Sequence, residues 1–279
     1  MDYKIVVDSC GELTEEMKQS GNVVSIPLTL QIDDEMIIDD ETFDQAEFLK
    51  KVAASPNCPK SACPSPEMFV KSFEGEAKRV YVVTISANLS GTYNSAMLAK
   101  QMYEEGSTDK EIYVFDSKSA SVAEMLIADR IMECEGKGMP FEEIVKEVEA
   151  YIYSQKVTFV LESLDALRKN GRLTGLKALV ATALNIKPIM SADDDGVIYQ
   201  KTQARGVNKS ISKLVECVVE EMKKSGNKVL AISHCNCKER AETVLKMIGE
   251  KIEIHKSFIL DTRGVSSLYA SQGGIIVVV

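Results

Sequence analysis

The chain has 279 residues, of which 45% are hydrophobic and 27% are charged, proportions typical of a soluble globular protein. Its formal net charge of −9 argues against a nucleic-acid partner, because binding phosphates needs a basic surface. The same acidity disfavours adhesion to an anionic membrane, and no apolar stretch approaches the ~20 residues of a membrane span. The opening residues lack the charged and apolar regions of a signal peptide, so we expect a cytoplasmic protein.

The chain contains seven cysteines, an odd number that argues against a disulfide framework. Cys235 and Cys237 next to His234 form part of a metal-binding pattern. The only candidates for a second half are Cys58 and Cys63, and this spacing is a weak zinc signal. We therefore expect reduced structural thiols, no metal and no cofactor.

The first half of the chain alternates strand and helix patterns. Apolar runs predict strands at 3–7, 23–32, 35–38, 79–85 and 111–115. Helical patterns cover 14–19, 43–53, 67–74, 91–104, 122–136 and 141–154. Four prolines within 56–66 predict a loop at 55–65. Short connections between alternating strands and helices indicate a mostly parallel sheet with helices on both faces.

The second half has a mixed pattern. We predict strands at 158–161, 186–190, 197–202, 228–233, 252–260 and 275–279, and helices at 164–169, 176–184, 210–224 and 238–251. The Asp195-Gly196 pair marks a hairpin turn between the second and third of these strands. The fold class is therefore α/β, with an N-terminal α/β domain at 1–155 and a C-terminal mixed α/β domain at 156–279.

A hydroxyl-rich turn, ISANLSGTYNSA at 85–96, directly follows the apolar strand at 79–85. Ser90 or Thr92 is placed to cap the next helix, and Gly91 allows another group to approach the backbone. Unpaired N–H groups and the positive end of the helix dipole favour an anion at such a turn. Taken alone, the segment is also compatible with an ordinary capped turn.

Several segments, in order along the chain, resemble motifs of the DegV family. KSACPSP at 60–66 resembles the TSQPSP loop, and ISANLSGT at 85–92 resembles the ISSxLSGT signature. Asn170-Gly171-Arg172-Leu173 resembles the family's glycine-arginine stretch, and the Asp-Ser pairs at 8–9 and 116–117 match its two strand ends. The resemblance implies a DegV-like two-domain fold that binds a long-chain fatty acid, such as palmitate or oleate, between the domains. Some members present this ligand to a bacterial fatty-acid kinase.

The resemblance also implies which residues bind the lipid. Ser61 matches the carboxylate-binding threonine, and Ser86 with Ala87 matches the Ser-Ser pair. Arg172 and Arg205 match family arginines, and arginine is the natural bidentate partner of a carboxylate. The family's C-terminal His-Thr-Gly-Pro-Gly appears here as ASQGG at 270–274, so Ala270 stands where the histidine is expected.

Two other functions remain as alternatives to a carrier without catalysis. The first is a hydrolase or other small-molecule enzyme that uses the serine-rich turn. The sequence has no Gly-x-Ser-x-Gly elbow, Walker loop or Gly-x-Gly-x-x-Gly fingerprint, and a serine triad would have to use His234 or His255. The second is an interaction protein in which the lipid is a permanent structural plug.

Overall fold

The computed structural model describes residues 2–107, 109–173 and 185–279. The helix predicted at 176–184 lies outside these residues. The described strands are β1 (Tyr3–Asp8), β2 (Val23–Ile26), β3 (Thr29–Ile32), β4 (Glu35–Ile38), β5 (Lys60–Ala62), β6 (Arg79–Thr84), β7 (Glu111–Asp116), β8 (Val157–Val160), β9 (Ile186–Ala192), β10 (Ile198–Arg205), β11 (Val229–His234), β12 (Lys256–Asp261) and β13 (Ile275–Val278). The described helices are α1 (Glu15–Gln19), α2 (Gln45–Ala54), α3 (Pro66–Phe73), α4 (Thr92–Gly106), α5 (Val122–Gly136), α6 (Phe141–Ser154), α7 (Asp165–Lys169), α8 (Val207–Ser225), α9 (Lys238–Gly249) and α10 (Gly264–Ala270).

The first sheet is parallel, with strand order β2-β1-β6-β7. Its strands are apolar on both faces, as expected for a parallel sheet covered on both sides. Along β1, Ile5 and Val7 pack into the core that includes α5 and α6, whereas Val6 packs with α3 and α4. The predicted parallel sheet with helices on both faces is confirmed.

The second sheet is mixed, with strand order β10-β9-β8-β13-β11-β12. Its only parallel pair among the described strands is β11 with β12. On β11, Leu230 and Ile232 pack with α8 and α9, whereas Ala231 faces the core that contains α5. Helix α5 also contacts β1 and β6, so it lies between the two sheets and packs against both.

A third, antiparallel sheet of order β4-β3-β5 was not predicted, and it corrects two expectations. The single strand predicted at 23–32 is wrong, because β2 and β3 belong to different sheets and Pro27 between them has no N–H to donate. The segment 55–65 is not loop throughout. It contains β5, which pairs with β3 and places Ser61 opposite Leu30.

Smaller differences occur at other element ends. Helix α10 was missed because its sequence, GVSSLYA, has no amphipathic period. Strand β12 begins at Lys256 rather than at the predicted residue 252. The N-cap of α4 is Gly91, without a side-chain capping bond, while the Ser90 hydroxyl accepts a hydrogen bond from the Thr92 N–H at 3.3 Å.

Candidate functional site

A cavity lies at the carboxyl ends of the parallel strands. Leu28, Cys10, Ile85 and Ser119 line it, and they follow β2, β1, β6 and β7 respectively. In open parallel sheets the loops after the strands form such a crevice at this edge. The cavity has a volume of about 90 Å³, enough for several water molecules.

The opposite wall comes from the mixed sheet and from α7 and α10. Val157 and Phe159 lie two residues apart on β8 and therefore point to the same face. Most of the lining is apolar. The remaining lining residues are Ser61, Leu89, Ser90, Ala120, Ser121, Leu161, Leu167, Arg172, Ala192, Gly196, Ile198, Val265, Ser266, Tyr269, Ala270 and Ile276. With few polar groups to bind water, this cavity suits an apolar ligand.

The aspartates at the ends of β1 and β7 hold the loops that form one wall. Asp8 accepts hydrogen bonds from the N–H groups of Cys10 at 2.9 Å and Ile85 at 2.8 Å. Asp116 accepts from the N–H groups of Ala87 at 3.0 Å and Lys118 at 3.1 Å. A carboxylate that accepts backbone N–H groups fixes the turn it contacts. The two Asp-Ser strand ends therefore shape the cavity from behind its lining.

A polar group of three side chains lines part of the cavity. The Ser61 hydroxyl lies 3.1 Å from the Tyr269 hydroxyl, and either can donate. The Arg172 guanidinium carbon lies 5.9 Å from the centre of the Tyr269 ring, within the range of a cation–π contact. Arg172 also donates through Nε to the Leu89 carbonyl at 3.1 Å, which ties it to the serine-rich turn. The group combines two hydroxyls and one permanent cation, the chemistry that binds a carboxylate.

Ser86 and Ala87 lie next to the cavity but are not among its described lining residues. Ser86 is fully buried, donates to the Gly196 carbonyl at 3.4 Å and accepts from the Asn88 N–H at 3.2 Å. The Ala87 N–H is bound to Asp116. Gly196 does line the cavity, so Ser86 lies directly behind this part of the wall and stabilises it through the hydrogen bond to Gly196.

Arg205 is placed away from the other candidate residues. It is exposed at the end of β10, whereas Ile198 at the start of that strand lines the cavity. Seven residues of strand correspond to roughly 20 Å. Of the five residues that the family resemblance implied, Ser61 and Arg172 reach the cavity together, and Arg205 does not join them.

Ala270 lines the cavity with its methyl group and is 1% exposed. Its neighbour Gly274 leaves no room for a side chain, because an added Cβ would lie 2.6 Å from the Ala270 carbonyl oxygen. The segment matched to the family's histidine motif therefore contributes an apolar wall. Tyr269, one residue earlier, supplies the hydroxyl near Ser61.

A group of buried carboxyls lies behind Cys10 and Ser121. Burial raises the pKa of Asp8 to about 6 and the pKa of Glu12 to about 7. Burial, together with the charges of Asp8 and Glu12, raises the pKa of Glu124 well above its ordinary value. Glu12 accepts a hydrogen bond from the Ser121 hydroxyl at 2.6 Å. Two of the side chains behind the cavity wall, Asp8 and Glu12, therefore titrate near neutral pH.

Sequence reasoning missed Tyr269, Glu12 and Glu124. Tyr269 lies on α10, which has no periodic signal, and Glu124 looks like an ordinary first-turn helix acid. Glu12 could have been noticed in the sequence, because it lies only four residues after Asp8, where a buried strand ends.

Neither histidine lines the cavity. His234 is buried, with Nδ1 3.1 Å from Asp261 Oδ1, and burial lowers its pKa. His255 is exposed, with Nε2 3.5 Å from Glu253 Oε1. Among the described residues, therefore, no serine of the cavity has a histidine placed to activate it. Within the same residues, no helix combines the length and apolar character needed to cross a bilayer.

Comparison with known sequences finds relatives along essentially the whole chain. A family model described as "Uncharacterised protein, DegV family" matches residues 2–279. A DegV domain-containing protein of Streptococcus pneumoniae is 35% identical over 278 residues, covering 99% of this chain and 98% of the relative. A DegV domain-containing protein of Streptococcus gordonii is 34% identical over the same length.

Solved structures share the fold over essentially the whole chain. A DegV protein from Ruminococcus gnavus, refined with vaccenic acid, has a TM-score of 0.97 and 53% identity, covering 100% of this chain and 99% of its own. The Streptococcus pneumoniae Fatty Acid Kinase (Fak) B3 protein, loaded with linoleic acid, has a TM-score of 0.89 and 34% identity with the same coverage. From its sequence and its fold, this chain belongs to the DegV family.

Proposed function

We propose that this protein binds one long-chain fatty acid in the cavity and carries it to a fatty-acid kinase. The observation that carries the proposal is a partly open, mainly apolar cavity whose lining includes Ser61, Tyr269 and Arg172. An acyl chain needs apolar walls, and its carboxylate needs donors or a cation. The cavity offers both to a single ligand.

The head group binds to the three polar side chains. The Ser61 and Tyr269 hydroxyls donate to the carboxylate, and Arg172 balances its charge. Ser86 and Ala87 support the loop behind the head group, because their polar atoms bind Gly196, Asn88 and Asp116. Arg205 is left out of this assignment because it lies far along β10.

The relatives support both the ligand and the partner. Besides the two solved structures with vaccenic and linoleic acid, a DegV protein from Eubacterium eligens was solved loaded with heptadecanoic acid. That protein is 29% identical to this chain with a TM-score of 0.89, covering 99% of this chain and 98% of its own. The kinase partner rests on the 34% identical protein named as a fatty-acid kinase component.

The proposal includes a division into two units, 1–155 and 156–279, with the lipid between them. Residues from both stretches line the cavity, for example Cys10 and Ile85 on one side and Phe159 and Ile198 on the other. In this proposal the chain is a carrier without catalysis or cofactor, because binding and releasing a fatty acid breaks no covalent bond. Within the described residues, no cavity serine has a histidine placed to activate it. The ligand is an acyl chain of the size of palmitate or oleate.

Binding of oleate and of oleyl alcohol to delipidated protein tests the proposal. The two ligands share a tail and differ at the head group, so the carboxylate site predicts tighter binding of oleate. Arg172→Met should reduce this preference by about tenfold, the effect expected from losing one charged hydrogen bond. Arg168→Met is the matched control, because Arg168 is exposed on α7 and pairs only with Asp165 among the described residues. Protein that binds neither ligand would overturn the proposal.

Two further assays separate the alternatives. A hydrolase with an activated serine would react with a fluorophosphonate probe, and the carrier should not. A permanently plugged protein would keep its lipid when mixed with isotope-labelled oleate, whereas a carrier exchanges it. Labelling of a cavity serine, or lipid that does not exchange, would contradict the carrier function.

A further inference from the structure

A cluster of three fully buried carboxyls lies directly behind the cavity wall. It consists of Asp8, Glu12 and Glu124, which are at most 2% exposed. A carboxyl oxygen of Asp8, the Cys10 Sγ and a carboxyl oxygen of Glu124 all lie within 4.8 Å of one another. Both carboxyl oxygens of Glu124 are buried without a hydrogen-bond partner among the described residues. A buried, unpartnered carboxylate is costly, so the environment strongly favours a proton on this group.

Within residues 2–107, 109–173 and 185–279, the cluster has no side-chain cation in contact with it. Among the described residues, no lysine, arginine or histidine nitrogen lies within 4 Å of a carboxyl oxygen of these three groups. Arg263 directs its side chain to Asp39 at 3.8 Å and to the Asp40 carbonyl. Only its backbone N–H faces Glu12, at 3.4 Å. Full ionisation would therefore place three negative charges together inside the protein.

The cluster contacts one wall segment of the cavity directly, through Ser121, and a second through Cys10, whose N–H donates to Asp8 at 2.9 Å. Glu12 accepts from Ser121, whose hydroxyl also lies 2.6 Å from that of Ser233 on β11. Ser266 on α10 donates to the Cys10 carbonyl at 3.3 Å, and both residues line the cavity. Ser121 has a φ of 64°, which is unfavourable for a serine and persists only where neighbouring contacts hold it.

We propose that the Asp8–Glu12–Glu124 cluster positions the Ser121 and Ser266 wall segments, holding the cavity closed while it is protonated and loosening the wall when it becomes fully charged. The proposal deepens the proposed function and rests on it, since a loosened wall releases the acyl chain faster. Glu12 and Glu124 act through the wall and are positioning residues.

The titratable groups that face the cluster give the sign of the pH dependence. Asp8, Cys10 and Glu12 come from the end of β1 and the turn after it, and Glu124 comes from α5. Asp39 approaches from the segment after β4, where Ser9 donates to it at 2.9 Å. Burial raises the pKa of each of these groups, and Arg263 is the cation beside Asp39. Raising the pH therefore adds negative charge to Asp8, Glu12 and Glu124, which have no side-chain cation within 4 Å in the part of the chain that the structure describes. Ligand retention should therefore fall as the pH rises through neutrality.

Hydrogen–deuterium exchange of ligand-free protein tests the wall directly. Peptides covering 117–125 and 263–271 should lose protection by about tenfold between pH ~6 and pH ~8, after correction for intrinsic exchange. Glu124→Gln keeps the shape of the side chain and cannot ionise, so it should reduce this dependence, while Asp8 and Glu12 still titrate. The dissociation rate of oleate is measured by transfer to excess phosphatidylcholine vesicles. It should rise with pH in the wild type and change less with pH in Glu124→Gln.

Glu135→Gln is the matched control. Glu135 lies on the same helix, its side chain is only 5% exposed, and it pairs with Arg79 at 3.2 Å and accepts a hydrogen bond from the Tyr81 hydroxyl at 2.6 Å. This variant should keep the wild-type pH profile of both peptides. Wild-type protection that does not change with pH, or an unchanged profile in Glu124→Gln, overturns the proposal.

The two proposals fail in different ways. If the peptides respond to pH as expected but the protein binds no oleate, the wall proposal is supported and the fatty-acid function is wrong. If oleate binds and the protection is independent of pH, the fatty-acid function is supported and the wall proposal is wrong.

Discussion

The hydroxyl of Ser61 lies 3.1 Å from that of Tyr269, although 208 positions separate the two residues in the chain. Ser61 is brought there by the pairing of β5 with β3, and Tyr269 by the short helix α10. Both line the cavity together with Arg172. This contact places a hydroxyl of the C-terminal segment at the candidate head-group site, next to the position of the expected histidine.

Removing the two hydroxyls together should weaken fatty-acid binding. Each hydrogen bond to a carboxylate contributes roughly 1.5–3 kcal/mol, so Ser61→Ala with Tyr269→Phe should raise the Kd for oleate by at least about tenfold. The control is Ser212→Ala with Tyr153→Phe, two exposed positions that do not line the cavity. An unchanged Kd in a variant with a wild-type circular dichroism spectrum would place the head group elsewhere.

Restoring the histidine tests the assignment of the C-terminal segment. In the Glu124→Gln background, oleate affinity should vary less with pH than in the wild type, because one carboxyl of the cluster can no longer ionise. Adding Ala270→His should introduce a titration with a midpoint of about 6.5 and tighter binding at the acid end. If the Glu124→Gln protein already shows such a titration and loses it on replacement of His234 or His255, the assignment of Ala270 is wrong.

Thermal stability should fall as the pH rises through neutrality. The folded protein holds protons on Asp8 and Glu12 up to pKa values of about 6 and about 7, whereas both carboxyls titrate near ~4 in the unfolded chain. This contribution to stability is complete below the unfolded pKa and is lost as the pH passes the folded pKa. We expect Tm at pH ~8 to lie roughly 5 °C below Tm at pH ~5.5, with a smaller drop in Glu124→Gln. A Tm that rises over this range would contradict the protonated cluster.

Gly196 should tolerate no side chain. Its φ is +78°, and an added Cβ would lie 2.7 Å from the Lys118 carbonyl oxygen and against the Ser86 hydroxyl. Gly196→Ala should therefore lower the free energy of unfolding by roughly 2 kcal/mol or more. Gly138→Ala is the matched control, because Gly138 has φ +69° and open space around it, and should cost about 1 kcal/mol. If urea unfolding shows that both variants lose the same free energy of unfolding, Gly196 is not tightly packed against Ser86.

Much of the fold was predictable because its signals are local. Helices α5 and α6 begin and end where the sequence predicted, and the helix predicted at 210–224 lies within α8. The strand predicted at 23–32 failed because apolar character continues across Pro27 while the chain passes from one sheet to another. No local pattern shows where a chain changes sheets.

The candidate site was predictable only in part. The family resemblance pointed to Ser61 and Arg172, and the structure brings these two to one cavity. Tyr269 and the carboxyl cluster depend on contacts between distant segments, such as Glu12 with Ser121 across 109 positions. Such pairs have no spacing that a single sequence reveals.

The central claim is that the cavity holds an acyl chain, and extraction of the purified protein tests it most directly. Protein expressed in bacteria should release one fatty acid per chain into organic solvent, identified by mass spectrometry, and native mass spectrometry should show the same single adduct. Delipidated protein should recover this adduct when oleate or palmitate is added. Protein that is empty as purified and remains empty after addition of either fatty acid would contradict the account.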